Sequence, residues 1–306
     1  MTALLNAIPG AIAQGLIWGL FAIGLYITYK ILDIADLTVD GSVCTGACVA
    51  VVLIVNGTNI VLAMLASFLA GALAGAVTGL LHTAMGIPAI LAGILTQLML
   101  WSVNLKILGQ AQVAIPSRNS NITTLLTQRN LGMAILVSSL FIAAVIVCLW
   151  LFFYTEIGFT IKSTGDNEAM SRAQGVNVNL NKVIGLALSN GIIALSGALI
   201  AQYQGFADIN MGRGAIVIGL AAIIIGLSIS MRIKPNFVVS LIGVTGGGVL
   251  YYIVYTFVIW LGLDTELLKM LSAIVVTVFL AVPYLKKKYF HKKHVTKPAK
   301  EETQDA

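Results

Sequence analysis

The sequence predicts an all-α polytopic membrane protein of about nine transmembrane helices with a cytoplasmic C-terminus. Three observations lead there. Of 306 residues, 58% are hydrophobic and only 10% charged, and the mean hydropathy is +0.96, a balance that suits a bilayer better than water. The apolar residues come in runs long enough to cross hydrocarbon. The cationic residues are shared unevenly between the ends of those runs.

The runs follow in order. The first, 8–32, has no basic region ahead of it and is too long for a signal peptide, so it reads as a retained span. A short run at 41–55 is followed by 60–81 and 87–108, then a polar loop at 109–130 and a fifth run at 131–154. Beyond a hydrophilic stretch at 156–182 come 183–203, 215–230, 237–263 and 267–285. Each must be helical, because an unpaired backbone group in lipid costs several kcal/mol. Gly71, Gly75 and Gly79 line one face of the third run, where small residues let helix backbones approach, either within one subunit or at a dimer contact. Gly246, Gly247 and Gly248 mark either a close crossing or a flexible break.

With the tail inside, nine crossings leave thirteen cationic residues inside and five outside. Seven of the thirteen are the tail lysines from Lys286 to Lys300, so the loops alone split six to five. This orientation puts the N-terminus outside and the stretch 156–182 in the cytoplasm. Residues 1–288 form a single transmembrane domain, and 289–306 a basic, then polar, disordered cytoplasmic tail. The net charge of +6 rests largely on that tail and signals a membrane face, not nucleic acid.

The stretch 156–182 is the largest internal hydrophilic segment. Asp166 or Asn167 can cap a short helix there, Glu168 favours its first turn and Gly175 can end it. It serves either as a solvated connector or as a handle for a protein outside the membrane, and spacing alone does not choose.

Two segments echo each other. Ala35-Asp36-Leu37-Thr38, then Gly41, follows the first run, and Ala207-Asp208-Ile209-Asn210, then Gly212, follows the sixth. Five spans separate their starts, so the copies face opposite sides, as in transporters built from inverted repeats. Asp33, Asp36, Asp40 and Asp208 lie at span ends, where charges are ordinary.

Catalytic chemistry is missing. The sequence has no G-x-x-x-x-G-K-[ST] phosphate loop, no H-E-x-x-H and no G-x-S-x-G. Cys44, Cys48 and Cys148 read as free buried thiols, and no histidine or acid stands at ligand spacing beside them, so no metal is expected. His82 reads as structural. No chain of ionisable residues threads the spans as in a proton-driven carrier. The sequence describes a conduit that draws its energy from elsewhere.

At the hydrophilic stretch the sequence resembles a known family. Gly158-Phe-Thr-Ile-Lys-Ser-Thr-Gly165-Asp166-Asn167-Glu168-Ala169, then Gly175-Val176-Asn177-Val178 and Lys182, is similar to the cytoplasmic loop of bacterial ABC importer permeases of the branched-chain amino acid and ribose-type superfamily. Ser189-Asn190-Gly191 and Ala194-Leu195-Ser196-Gly197-Ala198-Leu199 resemble the span after that loop, and Ile34 to Gly41 resembles a tryptophan/tyrosine-type subgroup. The resemblance covers roughly 10–285. It implies a multi-pass permease subunit in a bacterial cytoplasmic membrane, moving an amino acid into the cell as one of a pair of permeases, with a homodimer expected and a different partner chain left open by the sequence. Two ATP-binding subunits would hold the ATP, leaving this chain without a cofactor, and an extracytoplasmic binding protein would deliver the solute. The coupling contact would fall on Gly165, Asp166, Asn167, Glu168, Ala169, Arg172 and Gly175. Arg118, Arg129, Asp208 and Arg213 would meet the binding protein. Asp36, Thr38, Thr96, Gln97, Ser189, Asn190, Asp208 and Asn210 would line the path, with Ser102 and Asn104 as further candidates; each polar group could instead join helices. The rival reading from the residues is a secondary carrier that works alone.

Overall fold

The computed structural model describes residues 2–116, 124–126, 128, 130–230 and 236–261, with positions 270, 273–274, 277–278 and 281 beyond. Among the described residues the protein is mostly helical, with six helices long and apolar enough to cross a membrane and two shorter apolar helices. The last expected span, 267–285, and the tail lie outside the described residues.

α1 (Thr2–Tyr26) runs on through a widened π turn (Ile27–Ile31). An extended segment then leads into the short α2 (Val39–Val55). α3 (Ile60–Thr83) and α4 (Ala89–Leu108) follow, and α5 (Leu131–Phe153) ends beside the hydrophilic stretch. That stretch makes two helices where one was expected, α6 (Glu156–Asp166) and α7 (Glu168–Ala173). α8 (Val178–Gln204), the short α9 (Ala215–Ser230) and α10 (Phe237–Trp260) complete the bundle. A two-stranded ribbon, β1 (Gln112–Ala114) antiparallel to β2 (Phe206–Asp208), ties the loop after α4 to the end of α8.

Close approach sets the layout. On α3, a Cβ at Gly71 would meet the Asn190 carbonyl, at Gly75 the Leu186 carbonyl and at Gly79 the Val183 backbone. The glycine face is therefore a seam with α8 inside this chain, and it runs antiparallel. In α10, Gly247 abuts the Ala222 carbonyl of α9 and Gly248 lies against Gly15 and Gly19 of α1, so these two glycines serve a close crossing. Outside the seams the surface is oily: Leu69, Leu73, Leu136 and Leu140 are exposed, as lipid-facing residues are. His82 donates from Nδ1–H to the Ile87 carbonyl (2.8 Å) and secures the turn after α3, a structural use.

The same contacts give the helices a direction. The end of α1, the start of α8 and the start of α10 lie at the end of the bundle that carries α6 and α7: Gly165 abuts Ile31, Gly185 abuts Leu32, and the Phe153 and Phe237 rings sit 5.1 Å apart. The β ribbon marks the opposite end.

Candidate functional site

Two places stand out. The first is the hydrophilic pair α6 and α7. Thr155 caps α6 by accepting from the Gly158 N–H (3.3 Å), and Gly158, Ile161 and Thr164 form its buried stripe at helical spacing. Asn167 breaks the pair with an extended backbone (φ −158°) and caps α7 by accepting from the Met170 N–H (3.0 Å). Gly175 takes φ +80°, the left-handed end that glycine tolerates best. The sequence reading missed α6 because its residues are weak helix formers, and because its stripe gains its energy only from packing on neighbours.

This pair is fastened to the bundle. A Cβ at Gly165 would strike the Ile31 carbonyl, so α6 sits backbone to backbone on the end of α1. The Asn181 amide donates to Thr164 (3.0 Å), joining α6 to α8. Glu168 bridges α7 to α8 through Lys182 (2.7 Å) and pairs with Arg172 (2.8 Å) along its own helix. Arg172 also donates to Asn179 (3.1 Å). The Lys182 ammonium, then the Arg172 guanidinium, hold the Glu168 carboxyl below its ordinary range. Asp166, Asn167, Ala169, Arg172 and Gly175 are exposed, and so are the apolar Phe159 and Met170. Of the seven expected coupling residues, Gly165 packs against the bundle and the half-buried Glu168 reaches it through Lys182.

The second place is where two helices are interrupted. After α1, the Asp36 carboxyl accepts from the Thr38 N–H (2.8 Å). After α8, the Asp208 carboxyl accepts from the Asn210 N–H (2.7 Å). The two echoing tetrads thus fold as the same Asx turn, and each turn leads into a short helix, α2 or α9. The short helices meet at their starts. Asp40, in the first turn of α2, accepts from the N–H groups of Gly214 and Ile216, both at 2.9 Å, and so caps α9. The Cys44 thiol donates to the carbonyls of Asp208 and Ile209 (3.4 Å each), binding α2 to the second break.

A closed polar network holds the first break. Asn190 of α8 donates to Asp36 (2.7 Å) and accepts from Ser42 (2.6 Å). Thr38 bonds to Thr78 (2.7 Å), which donates to Thr96 (2.9 Å). Ser189 donates to the Gly24 carbonyl (2.7 Å), joining α8 to α1. Asp36, Thr38, Thr96, Ser189 and Asn190 are all buried. They act on the described geometry as interhelical ties.

Beside the meeting point lies a cavity of about 200 Å³. α2 lines it with Asp40, Gly41 and Cys44, α4 with Gln97, Leu98, Trp101 and Asn104, and the second break with Ile209, Gly212 and Arg213. Of the eight expected path residues only Gln97 lines it. Gln97, Trp101 and Asn104 share one face of α4, a polar and aromatic stripe on an apolar span that was visible at helical spacing. Sequence reasoning left out Trp101 and read Asp40 only as an ordinary charge at a span end; the capping bond of Asp40 spans 174 residues or more and has no local signature. Arg213 and Asn210 are exposed and Asp208 is half-buried. Arg118 and Arg129 lie outside the described residues.

Paired breaks in a helical bundle, with a cavity between them and a hydrophilic handle at one end, define a membrane permease. The chain belongs to the branched-chain amino acid transport system / permease component family, which matches residues 8–280. It is 38% identical to the tyrosine transport system permease protein of Clostridioides difficile (strain R20291) over 90% of this chain and 91% of that one. It is 33% identical to the Uncharacterized protein RP368 of Rickettsia prowazekii (strain Madrid E), over 90% of this chain and 98% of that one. Its fold is similar to that of PsaBC from Streptococcus pneumoniae in complex with Fab, with a TM-score of 0.53 and 14% identity over 95% of both chains. The chain is an integral membrane protein and an ABC transporter permease subunit.

Proposed function

We propose that this subunit imports an amino acid, with an aromatic one favoured, using ATP hydrolysed by a separate subunit on the cytoplasmic face of a bacterial plasma membrane. One observation carries the reading: the α6–α7 handle is bolted to α1 and α8, the two long helices that lead into the two breaks. A force on the handle reaches Ile31, and five residues further on it reaches Asp36 and the network around Asn190. The same force reaches Asn181 and Lys182 at the start of α8, and that helix leads to the second break. Asp166, Asn167, Glu168, Ala169 and Arg172 would meet the ATP-binding subunit, with Phe159 and Met170 adding apolar contact. Gly165 would seat the handle, and Gly175 would turn the chain back into α8.

The matched Asx turns and short helices support an inverted repeat in which α2 and α9 each complete one crossing from the middle of the bilayer. Counting them, α10 ends opposite the handle, and a ninth span would return the tail to the cytoplasm. A second copy of this chain would complete the path, and an extracytoplasmic binding protein would deliver the solute at the ribbon end, near Arg213. The tyrosine permease relative supports the substrate class. Uptake by proteoliposomes holding the permease, its ATP-binding subunit and its binding protein tests the reading: accumulation should require ATP on the handle side. Accumulation driven by an ion gradient through this chain alone would establish a secondary carrier instead.

A further inference from the structure

We infer that the cavity between α4 and the starts of α2 and α9 is a subsite for an amino-acid zwitterion within the permease itself. The inference rests on the import reading above and adds the residues. Asn104 is 1% exposed, lines the cavity, and its Oδ1 has no partner among the described residues. A buried acceptor left empty is costly and rare, so it calls for an occupant that brings a donor. Asp40 supplies negative charge on the same wall. Each of its oxygens takes one backbone N–H, and a carboxylate has about four acceptor positions, so capacity remains. Arg213 supplies positive charge and forms no ion pair among the described residues. Trp101 stands one turn before Asn104 and offers an aromatic face.

This set fits one chemistry. An α-ammonium donates to Asn104 Oδ1 and Asp40, an α-carboxylate meets the Arg213 guanidinium, and the side chain lies against Trp101. A neutral sugar has no use for opposed charges, and a simple anion is repelled by Asp40. A volume of about 200 Å³ lies below the roughly 300–1,000 Å³ of drug-sized pockets and suits a molecule this small.

The test uses the full complex in proteoliposomes with L-tyrosine as the probe. Asn104→Leu removes an orphaned acceptor and keeps the number and branching of the side chain's heavy atoms. It should melt no lower than the wild type yet lose about tenfold in uptake, the factor that one hydrogen bond to a charged group carries. Asn104→Asp restores an acceptor and should recover most of the rate. Normal uptake by Asn104→Leu, or equal failure of Asn104→Asp, overturns the subsite and leaves a packing role. An independent arm labels Leu98→Cys, at the exposed cavity wall, in a Cys148→Ser background. Tyrosine should slow labelling, whereas tyramine and 3-(4-hydroxyphenyl)propionate, each lacking one charge, should not. Equal protection by all three, or by none, overturns the assignment. A wild-type complex that takes up no amino acid with ATP refutes the import reading itself, whatever the labelling shows.

Discussion

Asn190→Ala cuts the network that holds the first break, and its cost can be worked from the bonds it removes. Asn190 donates to the Asp36 carboxyl at 2.7 Å and accepts from the Ser42 hydroxyl at 2.6 Å. A hydrogen bond to a charged partner is worth about 1.5–3 kcal/mol. An average interhelical bond in a membrane is worth about 0.6 kcal/mol. The loss is therefore roughly 2–3.5 kcal/mol, and the scaling for large domains converts that to a fall in melting temperature of about 4–14 °C. Thermal unfolding of the purified protein in nanodiscs measures it. A double-mutant cycle with Asp36→Asn isolates the shared bond, and the two changes together should cost less than their sum by about 1 kcal/mol or more. Additive costs, or an Asn190→Ala melt within about 1 °C of wild type, would mean that the bond does not hold the break. Transport should fall further than stability does, because the extended segment before α2 loses its anchor on α8.

Other perturbations test other joints. Gly165→Leu forces a side chain into the Ile31 carbonyl and should cost about 1–3 kcal/mol, with loss of ATP-driven uptake, read by melting and transport together. Gly75→Leu should separate α3 from α8 at the Leu186 carbonyl and lower stability by a similar or larger amount. Glu168 has a lowered carboxyl pKa, so its pairing stabilises the fold above the usual glutamate range near about pH 4.3, and the benefit disappears as pH falls through the lowered value. Glu168 is 43% exposed and screening limits each pair to about 1 kcal/mol or less, so Glu168→Gln should melt slightly lower at pH 7 and level with wild type in acid. A gap that grew on acidification would contradict this sign. Asp40→Ala removes the cap from α9 and should cost about 1 kcal/mol or more, with the ordered start of α9 lost in amide exchange.

The fold class was legible because lipid leaves the backbone few choices: each long apolar run had to become a helix, and α3, α4, α5, α8 and α10 lie close to their expected bounds. The echo of Ala35 to Gly41 in Ala207 to Gly212 was also legible, since an Asx turn is written in adjacent residues. The glycine face of α3 was readable as a seam, but its partner was not, because nothing local points Gly71 and Gly75 at Asn190 and Leu186. The site was less legible. Asp36, Thr38, Thr96, Ser189 and Asn190 were singled out as candidates for the path, and the structure engages each in a hydrogen bond within the bundle. The capping of α9 by Asp40 and the lone acceptor of Asn104 depend on helices far apart in sequence. α6 was hidden because Gly158 and Gly165, poor helix residues, are there to let it lie flat on Phe152 and Ile31.

The central claim is that the α6–α7 handle receives the stroke of an ATP-binding subunit. Cysteines placed at the exposed positions Asp166 and Ala169, in a Cys148→Ser background, can be cross-linked to that subunit in the reconstituted complex. Cross-links should form at both positions, change in yield with ATP, and stop uptake when formed. A handle that stays uncrosslinked while ATP-driven uptake proceeds would contradict the account.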